Sequence, residues 1–69
     1  MTGVIKVRLL KLGYGFISAD SGEDYFFHVT DAPDFERLQK GDRVTFVSET
    51  TDRGPRARAV TLRAEELAS

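Results

Sequence analysis

The chain has 69 residues, with ten Lys and Arg against eleven Asp and Glu, a net charge of −1 and no cysteine. That length makes one domain, read here as residues 1–69, and a folded chain of this size buries only about 60% of the surface it exposes when unfolded, which excludes a second lobe and the cleft that would go with it. Without cysteine there are neither disulfides nor thiolate metal sites, which fits a reducing cytoplasm, and the near-neutral charge lacks the basic signature expected of a duplex binder.

Met1 to Lys6 carries no long apolar run, so neither a signal peptide nor a bilayer-spanning segment is expected. Val4 to Leu10 reads as a first strand. Simple alternation puts Ile5, Val7 and Leu9 on one face and Lys6, Arg8 and Leu10 on the other. If the apolar trio is core, Lys6 and Arg8 project onto the opposite face. Lys11-Leu12-Gly13 then turns the chain.

Two aromatic runs follow, Gly13-Tyr14-Gly15-Phe16-Ile17 and Tyr25-Phe26-Phe27-His28, separated by the polar turn Asp20-Ser21-Gly22-Glu23-Asp24. Apolar alternation on both sides of a loop rich in turn formers predicts a hairpin. Side chains on a strand alternate between faces, so Tyr14 and Phe16 share one face and Gly15 and Ile17 the other. On the partner strand Phe26 and His28 lie together, opposite Tyr25 and Phe27. Either set fills the core of so small a domain, but not both, so some rings are left facing water. Exposed rings on neighbouring strands make a platform for unpaired bases.

Val29 to Asp34 is polar and ends near Pro33, which predicts a short helical turn and a loop before Phe35. Gln39-Lys40-Gly41-Asp42 is another turn. A fourth strand runs from Val44 to Glu49, Thr51-Asp52-Arg53-Gly54-Pro55 is a loop, and Ala57 to Leu62 forms a fifth strand. The tail from Ala64 to Ser69 is helix-compatible but too short to hold a helix alone. Regular strands separated by turn signals predict a small sandwich or barrel.

Lys11-Leu12-Gly13-Tyr14-Gly15-Phe16-Ile17 resembles the first ribonucleoprotein-type motif of cold-shock domains, K-G-F/Y-G-F-I, and Tyr25-Phe26-Phe27-His28 resembles their second, V-F-V-H. The resemblance continues through Phe35 to Phe46 and through Arg53-Gly54-Pro55, in order and with similar spacing. It implies an all-β fold, a five-stranded antiparallel OB-type barrel. It also implies base stacking by Tyr14, Phe16, Phe26 and His28, with Phe35 at a further stacking position and Arg56 beside the bound bases. Val7 stands where the family leads one to expect Trp, Arg8 where it has Phe, Val29 at a third aromatic position, and Leu12 in place of a Lys. A bulge in the first strand would reconcile the family's outward ring at position 7 with the alternation read above.

The nucleic-acid-binding set expected is therefore Lys6, Arg8, Tyr14, Phe16, Phe26, His28, Phe35 and Arg56. Lys6 and Arg8 are expected to meet phosphates, with Lys11, Arg53 and Arg58 as further cations near the rings. His28 is the only histidine, and no Ser or Cys is evidently set against it as a nucleophile, so no catalytic residue, metal or cofactor is expected. The partner implied is single-stranded RNA or DNA, with RNA favoured and without a membrane, bound by a monomer or, alternatively, a weak dimer. The missing rings and the neutral charge support a rival reading, an OB-fold module for protein interaction that has lost much of its nucleic-acid binding.

Overall fold

The structure, a computed structural model, describes residues 1–63; the tail from Ala64 to Ser69 lies outside the described residues. Five strands form: β1 (Thr2–Leu9), β2 (Tyr14–Ala19), β3 (Asp24–His28), β4 (Arg43–Thr51) and β5 (Gly54–Leu62). They close into a barrel in the order β1-β2-β3-β5-β4, an all-β OB-type architecture. The pairings are antiparallel except at the seam, where β3 meets β5 in parallel with Phe26 opposite Arg56. Two 3-10 turns, Val29–Asp31 and Phe35–Arg37, lie between β3 and β4.

The core is built from the inward positions of the strands. Ile5, Ile17, Phe27, Leu38, Val44 and Val60 are fully buried, with the Tyr25 ring tilted against Phe46 at 5.1 Å and Phe27 meeting Phe35 edge-on at 5.9 Å. The choice left open by alternation is thus settled: Tyr25 and Phe27 fill the barrel, while Tyr14, Phe16, Phe26 and His28 point outward. Gly15 makes this possible. A Cβ there would lie 2.5 Å from the carbonyl oxygen of Val7 and 2.8 Å from Cζ of Phe27, so the Phe27 ring rests directly on the bare backbone.

β1 departs from simple alternation. Ile5 pairs with Ile17, and the next pair is Val7 with Phe16, so Lys6 is the extra residue of a β-bulge. An inserted residue reverses the inside-outside order beyond it. Ile5 stays in the core, but Val7 and Leu9 swing to the outer face opposite Phe16 and Tyr14, and Arg8 turns to the inner face opposite Gly15. The expectation that Ile5, Val7 and Leu9 share one face is corrected by this one residue. A second irregularity sits where β4 and β5 lose register between Thr45 and Val47, beside Ala59 at φ 53°.

Replacing Gly15 by Ala should lower folding stability by about 1–3 kcal/mol, the usual cost of overpacking, because one of the atoms met is backbone and cannot turn aside. Urea unfolding of the Gly15→Ala variant checks this, and an unchanged midpoint would contradict it.

Candidate nucleic-acid interface

Cross-strand partners lie on the same face of a sheet, and the register sets out two rows. One runs Val7, Phe16, Phe26, Arg56 across β1, β2, β3 and β5; the other runs Leu9, Tyr14, His28. The three rings form a connected patch, with Tyr14–Phe16, Tyr14–Phe26 and Phe16–Phe26 centroids at 6.1, 5.7 and 5.9 Å. All three are half-buried, so their edges are supported while part of each ring remains open to solvent. An exposed aromatic group of this kind offers stacking surface to planar rings at little ordering cost, since each ring is already held by its neighbours.

His28 closes the second row and begins the first 3-10 turn. Its Nδ1 accepts from the N–H of Thr30 at 3.3 Å and lies 3.1 Å from the Thr30 hydroxyl. With Nδ1 an acceptor, the neutral ring carries its proton on Nε2. In return the N–H of His28 donates to Oδ2 of Asp31 at 3.0 Å, completing a capping box.

Asp31 is buried and anchors the edge of the platform. Its carboxylate takes Nε of Arg56 at 2.9 Å and faces Nε of Arg58 at 3.4 Å, while Arg58 also reaches Glu49 at 3.1 Å. Burial works against charge on Asp31. The hydrogen bonds from Arg56 and the His28 N–H, with the positive charge of both arginines, outweigh it and hold the carboxyl below the ordinary aspartate value of 3.8. The guanidinium of Arg56 is thereby kept 6.0 Å from the Phe26 ring centroid.

The other expected residues separate. Lys6 is exposed at the bulge and pairs with Asp24 at 2.7 Å. Arg8 is not on the aromatic face. The bulge sends it to the end of the barrel, where Nη1 donates to the carbonyls of Phe35 and Glu36 at 3.4 and 3.2 Å and the guanidinium sits 5.8 Å from the Phe35 ring. Phe35 itself is 3% exposed and packs inward on Phe27, because the second 3-10 turn folds it over the barrel end; it adds no ring to the platform. Val29, at the position of a missing aromatic, is exposed beside Gly13. Sequence reasoning missed Asp31, although its place three residues after His28 is a capping-box spacing. Among the described residues no group of three or more His, Cys, Asp or Glu gathers to hold a metal, and no helix is long and apolar enough to cross a membrane.

The folded-state depression of Asp31 has a consequence for acid stability. A carboxyl whose value is lowered by folding stabilises the native state above its unfolded value, near 3.8, and that contribution is lost as pH falls through the folded value. Wild type should therefore lose stability on acidification below about pH 4 more steeply than Asp31→Asn, which has no such proton to take up. Chemical unfolding midpoints at pH 7 and in steps below pH 4 test this; parallel curves for the two proteins would refute it.

Residues 1–63 match the family model described as "'Cold-shock' DNA-binding domain". Cold shock protein 1 of Lactiplantibacillus plantarum is 40% identical over 57 residues, covering 80% of this chain and 86% of the relative. A cold shock-like protein of Vibrio cholerae is 41% identical over 64 residues, covering 88% and 91%. A major cold shock protein of Streptococcus pyogenes is 36% identical over 61 residues, covering 86% and 91%. The match spans all five strands, and the chain belongs to the cold-shock domain family.

Proposed function

We propose that this chain binds single-stranded nucleic acid, RNA in preference to DNA, with little sequence specificity. The observation that carries the reading is the patch of Tyr14, Phe16 and Phe26, with ring centroids 5.7 to 6.1 Å apart and half-open to solvent. Bases stack on these rings and on His28, while phosphates run along the rim past Lys6. Stacking of this kind is worth about 1–3 kcal/mol per base and tolerates any base, since every base has a π-face. Holding bases out of pairing opens weak hairpins without ATP, an RNA-chaperone action suited to a cytoplasmic monomer. No catalytic role is assigned.

A second reading, a protein-interaction module, draws on Leu10 and Leu12, which are 53% and 65% exposed at the β1–β2 turn. It predicts no response to oligonucleotides.

Two substitutions on the row of Val7, Phe16, Phe26 and Arg56 separate the readings. Phe26→Ala should weaken binding of oligouridine by about 1–3 kcal/mol and leave the fold intact. Val7→Trp, which sets a ring opposite Phe16, should strengthen it by a similar amount, roughly 1–3 kcal/mol. Calorimetric titration at fixed salt measures both. Affinity indifferent to either change would remove the platform from the account.

A further inference from the structure

We propose that Asp31 is a positioning residue that withdraws Arg56 from phosphate binding and holds its guanidinium beside Phe26 as a partner for bases. The inference rests on the single-strand reading and names the part of the ligand this arginine meets. Three observations lead to it.

The first is how firmly the carboxylate is placed. Oδ2 of Asp31 receives both the His28 backbone N–H at 3.0 Å and Arg56 Nε at 2.9 Å, and its side chain is only 5% exposed. The capping box thus fixes the anion by the backbone of the very residue that ends the platform strand.

The second is the contrast with the other cation at the rim. Lys6 and Asp24 make their ion pair with side chains 56% and 47% exposed. A pair so hydrated contributes little, and an incoming phosphate replaces Asp24 at almost no cost. Pulling Arg56 away, by comparison, takes a 2.9 Å hydrogen bond from a buried carboxylate and leaves it, of the two arginines, only Arg58 at 3.4 Å, which is unfavourable. A phosphate meets an arginine whose charge Asp31 already offsets, whereas an uncharged base loses nothing by that.

The third is what Arg56 keeps. The bond to Asp31 uses Nε, so the donors of both Nη groups are outside that contact. Arg56 lines a recess together with Phe16, Phe26, Thr51, Arg53 and Pro55, next to the ring on which a base would stack. A guanidinium whose charge is offset by a buried anion and which sits 6.0 Å from a stacking ring suits carbonyl and ring-nitrogen acceptors on a base edge. Arg53, exposed at the adjoining turn, is left for the phosphate.

The test is the salt dependence of binding, which a merely structural role does not alter. The whole chain is titrated with oligouridine at several salt concentrations, as wild type, Asp31→Asn and Arg56→Met. Each phosphate neutralised on a single strand adds about 0.7 to the slope of log affinity against log salt. Asp31→Asn frees the charge of Arg56, so its slope should steepen by about 0.7 relative to wild type. Arg56→Met should weaken binding with the slope unchanged. A slope for Asp31→Asn equal to wild type, or a slope for Arg56→Met flatter by about 0.7, would overturn the proposal while leaving single-strand binding in place. If Asp31→Asn does not fold, Arg56→Met decides alone. Wild type that binds no oligouridine would overturn the single-strand reading, and this proposal with it.

Discussion

The outward rings of this barrel depend on a hydrogen atom standing where a side chain would otherwise be. Gly15 lets the Phe27 ring lie against the backbone of β2, and that one contact decides which aromatic set is core. Once Phe27 and Ile17 occupy the interior, strand alternation leaves Tyr14 and Phe16 no position but the outside, and antiparallel pairing brings Phe26 and His28 beside them. The platform is therefore a by-product of how the core is filled. Its residues face solvent because packing inside is complete without them.

Charge on this face is handled by pairing. Lys6, Arg56 and Arg58 each face a carboxylate, and so does Arg43 through Asp20. This explains how a chain with a net charge of −1 sustains cations next to its rings without acquiring the basic field of a duplex binder. The pairs differ in kind. Those in the open are weak and exchangeable, whereas the one at Asp31 is built into a helical cap and ties β3, the 3-10 turn and β5 into a unit.

Much of this was legible in the chain. The turn signals at Asp20 to Asp24 and Gln39 to Asp42 located two of the connections, and alternation in the two aromatic motifs grouped Tyr14 with Phe16 and Phe26 with His28, while leaving open which set is core. The short helical turn after His28 was equally visible. The side taken by Arg8 was harder, since one bulged residue at Lys6 reverses everything beyond it and a bulge carries no clear composition signal. Phe35 illustrates another limit: a loop aromatic follows no period, and only the closing of the second 3-10 turn onto Phe27 determines that it is core. Asp31 was hidden for a third reason, because its partners Arg56 and Arg58 lie 25 and 27 positions away and meet it only where β3 and β5 close the barrel.

The account stands on nucleobases meeting the face that carries Tyr14, Phe16, Phe26 and His28. The most direct measurement is an NMR titration of the labelled chain with short oligouridine, following the aromatic side-chain signals. The account predicts saturable shifts of those four residues, with the buried rings of Phe27, Phe35 and Phe46 little affected. Shifts confined to the Leu10–Leu12 turn or to the outer face of β4, or none at high protein concentration, would contradict it.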